Sequence, residues 1–282
     1  MDLNKAIEFA QLVNAAYAVP PDDLRNREGE IVRAGLISGG NAYEVVTTIY
    51  ANDLATDLNQ ARGKLEVSIG LILQAQATGD AVIAVRGTEG ITEWVQDAKF
   101  GNVPCPFLSS GGKTEDGFTD VYESMAIDEA GGKATLAKSL ATIAWRKPLT
   151  SLTICGHSLG GALATLLGLD VAANCPAPFN DPTVYTYASP KTGDPAFVST
   201  YNHIVPNTFR VANRMDLVPK LPLPPLYDHV SGLFEVTPAK LIPPTVLIKF
   251  DIRCEHILTS YLHLLSLLAG GTVLDLDPKC VP

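Results

Sequence analysis

Apolar and polar positions change period several times along the chain. Near the start, Ile7, Phe9, Ala10, Val13, Ala16 and Tyr17 recur at roughly helical spacing and predict a helix over about residues 4–18. Two apolar runs, VSIGLILQA (67–75) and AVIAVRG (81–87), are joined through Thr78-Gly79-Asp80 and predict a hairpin-like pair of strands. A long helical region is expected over about 118–145, then a short apolar strand, SLTIC (151–155). Residues 158–173 are small and apolar on nearly every side, as in a helix buried all round. Thr183–Tyr187 and Asn207–Val211 read as further strands. Between them, Asp194 offers an N-cap and Pro195 a first helical residue. A last helix is predicted over about 256–269. Strands alternating with helices imply an α/β fold, with a mainly parallel central sheet and helices on both faces.

Nothing divides the chain: it has no repeat, no low-complexity tract and no convincing linker. The Pro-rich stretch 217–229 reads as a loop, because residues beyond it are needed for the chemistry below. A single domain over 1–282 is expected. With 46% hydrophobic and 18% charged residues, the chain can bury a large core. Its net charge of -9 repels polyphosphate and argues against a nucleic-acid partner. No apolar run is long enough for a spanning helix, so no transmembrane segment is expected. The first residues lack the basic and apolar regions of a signal peptide. That leaves two expectations, a secreted chain whose leader has been removed or a cytoplasmic one. The five cysteines (105, 155, 175, 254, 280) have no metal-binding spacing, so no metal is expected. Cys155, in an apolar run, is expected to be a buried free thiol, whereas pairing among the other four is not readable from spacing.

The chemistry centres on Gly156-His157-Ser158-Leu159-Gly160, which fits the G-x-S-x-G nucleophile elbow. A serine on a sharp strand-to-helix turn has a strained backbone, and side chains two positions either side would collide with the neighbouring strand and helix. Glycine at both removes the collision. The turn exposes the hydroxyl and aims the first amides of the following helix at whatever it attacks. An apolar strand before the pentapeptide and a small-residue helix after it supply the context the motif requires. His157 leaves the turn in another direction and reads as structural.

A serine hydroxyl needs an imidazole to take its proton, and the imidazole needs a carboxylate to fix its tautomer. In this fold they follow in the order Ser, Asp/Glu, His. Asp216 follows the strand-like NTFRVAN, at the strand end where ligands gather in open α/β sheets. Asp194 is better used as a helix cap, and Asp228 lies in the Pro-rich loop. Of His229, His256 and His263, spacing favours His256 at the start of the last helix, with His263 packing inside it. Spacing alone does not close that choice.

From about residue 40 to 268 the chain resembles the fungal-type, or class 3, triacylglycerol lipase family, an α/β-hydrolase fold. The residues that carry the resemblance are AVIAVRGTEGITEWVQDAKFGNVP (81–104), EDGFTDVYESM (115–125), GHSLGGALATL (156–166), YTYASPKTGDPAF (185–197), FRVANRMDLVPKLP (209–222) and HILTSYLHLL (256–265). The resemblance implies a catalytic triad of Ser158, Asp216 and His256. It also implies an oxyanion hole formed by the amides of Thr88 and Leu159. Independently, Thr88 ends an apolar strand and precedes a predicted helix, which suits an amide donor. Residues 89–99 place Ile91, Trp94 and Val95 on one helical stripe. The plain reading is a surface helix packed on the core, whereas the resemblance implies a short helical lid that contacts a lipid–water interface transiently. The expected activity is that of a lipase or carboxylesterase acting on a lipid or other ester without a cofactor. A soluble short-chain or feruloyl esterase, or a non-catalytic lipid-binding protein, are the alternatives. Oligomeric state is not readable.

Overall fold

The computed structural model describes residues 1–18, 20, 22–35, 40–52, 66–88, 101–127, 135–237, 251–270 and 276–280. The segment 89–99, with Ile91, Trp94 and Val95, therefore lies outside the described residues. Among the described residues, β1 (Ile31–Ala34), β2 (Asn41–Asn52), β3 (Glu66–Ala75) and β4 (Ala81–Val85) form an antiparallel meander. From β4 the same sheet continues through β7 (Leu152–His157), β8 (Thr183–Tyr187), β9 (Thr208–Asn213) and β10 (Leu233–Val236), all parallel. β5 (Asn102–Pro104) and β6 (Lys113–Glu115) pair separately. β1, β2, β5, β6 and β10 have no counterpart among the strands expected from the sequence. β2 carries Val45, Val46, Thr47, Thr48 and Ile49, a β-branched run suited to a pleated, mostly buried surface.

Alternation along the strands divides the core into two halves. In β4, Ala81, Ile83 and Val85 point to one face, and Val82 and Ala84 to the other. The first face is covered by α2 (Asp116–Ser124), α3 (Leu136–Ser139), α4 (Leu159–Asn174) and α5 (Pro195–Ile204). The second is covered by α1 (Leu3–Tyr17), α6 (Ile252–His256) and α7 (Leu258–Leu268). α4 is buried from Leu159 to Val171, as its all-round apolar pattern requires. Its one buried carboxylate, Asp170, accepts hydrogen bonds from Tyr122 Oη at 2.5 Å and Asn174 Nδ2 at 2.7 Å. Asp194 caps α5 by accepting from the amide of Phe197. Among the described residues, no helix is long and apolar enough to cross a membrane.

Two helix boundaries differ from expectation. The long helix predicted over 118–145 is interrupted, because α2 stops at Ser124 and Met125 turns extended. Tyr50 and Ala126 then exchange backbone hydrogen bonds, so sheet pairing outweighs continued helix. The last helix begins earlier than predicted and is broken. α6 ends at His256, Ile257 is extended, and α7 starts at Leu258. The His256 carbonyl leaves the helical ladder and faces His157 instead.

A disulfide joins Cys254 to Cys280, so the segment 276–280 is tied to α6. Cys155 is a fully buried free thiol, and Cys105 and Cys175 are also unpaired thiols.

Candidate active site

The elbow sits between β7 and α4. Ser158 occupies the N-cap position with φ 57° and ψ -126°, a conformation an L-residue enters at a cost of about 1–3 kcal/mol. The surrounding backbone holds it there: the Ser158 amide donates to Tyr187 O at 2.9 Å, and the Gly161 amide donates to Ser158 O at 2.9 Å. The flanking glycines are required by close approach. A Cβ at Gly156 would lie 2.0 Å from Gly160 O, and one at Gly160 would lie 2.3 Å from Val85 O. The collision expected from the motif is thus with the following helix at one glycine and with the end of β4 at the other.

Asp216 lies just beyond β9, in the turn that starts at Asn213. The Asp216 amide donates to Asn213 O at 3.1 Å, and Asp216 Oδ1 accepts from the Val218 amide at 2.9 Å. Its other oxygen, Oδ2, accepts from Tyr261 Oη at 2.8 Å and lies 2.9 Å from His256 Nδ1. The remaining ring nitrogen, His256 Nε2, is 2.9 Å from Ser158 Oγ. Ser158, Asp216 and His256 are each exposed by 2% or less. A buried carboxylate is tolerable when its oxygens are hydrogen-bonded, and three donors reach this one. With Asp216 accepting at Nδ1, the neutral imidazole presents a bare Nε2 to the serine hydroxyl, which is the tautomer a general base needs.

The other candidate histidines stand apart from this line. His229 Nε2 donates to Pro219 O at 2.5 Å, and burial, helped by the charge of Arg210, lowers its pKa to about 4. His263 is buried within α7. Asp228, in the Pro-rich loop, donates its amide to Gly193 O.

Leu159 opens α4, so its amide is one of those a helix N-terminus leaves without an intrahelical partner. Thr88 follows β4 and shares with His256, Tyr17, Arg253, Ile257 and Leu258 the wall of a cavity of about 530 Å³. Arg86 and Gly87 separate Thr88 from β4, and Gly87 lies against the serine, since a Cβ there would be 2.8 Å from Ser158 Cβ. The two candidate oxyanion donors thus come from different elements, Leu159 from the start of α4 and Thr88 from the segment after β4.

Residues that spacing did not reveal complete the surroundings. Tyr261, on α7, donates to Asp216 and accepts from the Asn213 amide at 2.9 Å. Asn213 Nδ2 donates to Glu255 Oε2 at 2.6 Å and to Glu255 O at 3.0 Å, tying the end of β9 to α6 beside His256. Burial raises the Glu255 carboxyl, the hydrogen bond from Asn213 opposes the rise, and the charge of Asp216 adds to it. His157 donates through Nε2 to His256 O at 2.8 Å and holds Tyr17 Oη at Nδ1, also at 2.8 Å. Residues 140 positions apart make this last contact, which no local pattern signals. Taken together, the arrangement can deprotonate a serine hydroxyl that stands at the N-terminus of a helix.

Comparison with known proteins points the same way. A family model described as Lipase (class 3) matches residues 82–225, which include Thr88, Ser158 and Asp216 but stop short of His256. The secreted mono- and diacylglycerol lipase A of Penicillium cyclopium is 32% identical over 169 residues, covering 60% of this chain and 52% of that protein. Phospholipase A1-II 7 of Oryza sativa subsp. indica is 27% identical, covering 98% of this chain and 81% of that one. Among solved structures, a mutant MDLA from Penicillium cyclopium matches with a TM-score of 0.64 at 23% identity, covering 86% of this chain and 81% of that chain. Lip2 lipase from Yarrowia lipolytica matches with a TM-score of 0.61 at 19% identity, covering 86% and 80%. At those identities the structures speak to the fold alone, which is that of α/β-hydrolase lipases. The chain spans about half the length of the Penicillium lipase it matches.

Proposed function

The chain belongs to the class 3 lipase family, and from that premise we propose that it is a serine hydrolase of lipid carboxylic esters working through an acyl-enzyme on Ser158. The observation that carries this reading is the unbroken line from Asp216 Oδ2 through the His256 ring to Ser158 Oγ, with 2.9 Å at each step. As the Ser158 oxygen attacks the ester carbonyl carbon, its proton passes to His256 Nε2. The amides of Thr88 and Leu159 receive the oxyanion, and losing one such donor typically costs about 10²–10³ in rate. His256 then returns the proton to the leaving alcohol as the tetrahedral adduct collapses. Water repeats the cycle on the acyl-enzyme, with Asp216 holding the imidazole tautomer throughout.

Two further features support contact with a lipid surface. Leu223 and Leu226 are 67% and 60% exposed on the Pro-rich loop, and Met215 and Leu217 flank Asp216 with about two-fifths of their surface exposed. Exposed apolar residues recurring within one short segment, 215–226, suit an interaction surface. The other apolar run near the site, 257–265, contributes differently: most of it is core, and only Ile257 to Thr259 reach the cavity wall. The lid reading of 89–99 is what the family resemblance implies, and the amphipathic stripe of Ile91, Trp94 and Val95 suits it. Trp94→Ser should weaken hydrolysis of emulsified ester more than that of a dissolved short-chain ester, and equal losses on both would remove the lid.

A second substrate class, phospholipid, is favoured by the rice phospholipase A1 that aligns along nearly the whole chain. The deciding experiment is labelling by a tagged fluorophosphonate, on wild type and on Ser158→Ala. It is followed by an ester series from acetyl to oleoyl that includes di- and triacylglycerol and phosphatidylcholine. Wild type should label and Ser158→Ala should not. Labelling that survives in the variant assigns the nucleophile elsewhere. A rate confined to short dissolved esters replaces lipase with soluble esterase.

A further inference from the structure

His157 is a fully buried imidazole in ring contact with the candidate base, with centroids 4.9 Å apart, and the mechanism above gives it nothing to do. Its two nitrogens are both occupied, one by the His256 carbonyl and one by the Tyr17 hydroxyl. The partners dictate its state. A carbonyl can only accept, so Nε2 carries a hydrogen. The Tyr17 oxygen already accepts from the Gly87 amide at 2.7 Å and has one hydrogen left to give, so Nδ1 is the bare acceptor. The ring that satisfies every partner is neutral and single in tautomer. A second proton at Nδ1 would face the Tyr17 hydroxyl hydrogen. Burial, with the neighbouring His256 charge next, lowers the His157 pKa to about 3, in keeping with that geometry.

The chain of hydrogen bonds therefore runs Gly87 N–H to Tyr17 Oη, Tyr17 O–H to His157 Nδ1, and His157 Nε2–H to His256 O. One end is the residue before the candidate oxyanion donor Thr88, and the other is the backbone of the candidate base. We infer that Tyr17 and His157 are positioning residues for the hydrolysis proposed above, together holding the β4 end and the His256 backbone in register with Ser158. The inference rests on that reading. It also gives α1 a role beyond packing, because a helix at the opposite end of the sequence supplies the phenol that links the two halves of the site. The His256 carbonyl is available for this because the helix breaks at Ile257.

Displacing a catalytic group by about 1 Å can cost about 10²-fold in rate with little effect on ground-state binding, so the signature is a fall in kcat at nearly constant KM. Three variants are measured on a dissolved butyrate ester, with circular dichroism and melting temperature for each. Tyr17→Phe removes one oxygen and should lower kcat by about ten-fold or more, within the range a sub-ångström shift allows. His157→Phe keeps a ring but no donor and should lower kcat at least as far. His157→Gln restores a nitrogen donor toward the His256 carbonyl and should recover most of the rate lost in His157→Phe. Variants that keep kcat within about two-fold of a working wild type overturn the inference and leave the hydrolase intact. So does a series in which kcat follows melting temperature and glutamine brings no recovery. If His157→Phe does not fold, Tyr17→Phe and His157→Gln decide alone: a kcat that falls with Tyr17→Phe and is largely kept with His157→Gln supports the inference. A wild type that neither turns over an ester nor labels at Ser158 overturns the hydrolase reading itself, and this inference with it.

Discussion

Replacing Tyr261 by Phe removes a single oxygen atom from a fully buried ring and leaves the packing of α7 otherwise intact. That oxygen serves two partners. It donates to Asp216 Oδ2 at 2.8 Å and accepts from the Asn213 amide at 2.9 Å. A hydrogen bond to a charged acceptor contributes about 1.5–3 kcal/mol, and a buried amide left without its acceptor costs about 1–3 kcal/mol. These overlap, because both partners relax together, so a total of about 2–4 kcal/mol is expected. At about 3 °C per kcal/mol for a domain of this size, Tm should fall by about 6–12 °C. Activity should fall as well. Asp216 keeps its bonds to Val218 and His256 but loses the donor that fixes Oδ2 from the far side, so kcat should drop by about ten-fold, equivalent to about 1.4 kcal/mol. The control is Tyr201→Phe, which removes an equally buried hydroxyl bonded to Thr208 Oγ1 at 2.9 Å, far from the serine. Thermal melts and kcat on a dissolved ester separate the two. Tyr201→Phe should lose stability and keep kcat, whereas Tyr261→Phe should lose both. Equal retention of kcat in the two variants would refute the argument that Tyr261 acts through Asp216.

Acid should destabilise the fold through its buried neutral histidines. His157 and His229 have pKa values lowered to about 3 and about 4, whereas the unfolded chain binds these protons below about 6.5. Between about pH 6.5 and pH 4 the unfolded state therefore takes up protons the folded state refuses, and each site lowers stability by up to about 1.4 kcal/mol per pH unit. His229→Gln should lessen the slope of urea-unfolding free energy against pH by up to that amount, and an unchanged slope would mean His229 is already protonated when folded. Cys254 and Cys280 are 26 residues apart, so opening their disulfide should cost about 3–4 kcal/mol by loop-closure entropy. Melting with and without reductant measures it, with Cys280→Ser expected to match the reduced protein. Gly160→Ala would set a methyl 2.3 Å from Val85 O and 2.5 Å from Arg86 O, both rigid backbone. It should yield little soluble or labelled protein, and a well-folded active product would show that the elbow can open.

Much of the architecture was legible because it is local. The alternation in 81–85, the all-round apolar pattern of 158–173 and the Asp194–Pro195 helix start depend on neighbours within a few residues. The glycines at 156 and 160 likewise reflect a collision between adjacent elements, visible as a motif before any coordinates. The misread boundaries have non-local causes. Helix propensity after Ser124 gives way to pairing between Ala126 and Tyr50, and the helix break at Ile257 goes with a carbonyl turned toward His157.

The candidate site divides along the same line. Residue types and their order mark Ser158 and Asp216 as the ends of a reactive line, because a strained turn and a strand end leave a local imprint. Spacing could rank His256 above His229 and His263 but not exclude them, since which imidazole meets a serine 98 residues away depends on how α6 lies across the sheet. Tyr17, His157 and Tyr261 leave no local trace of what they do. Their hydrogen bonds span 140, 99 and 45 residues, and only the packing of helices from both ends of the chain against one face of the sheet brings those groups within reach.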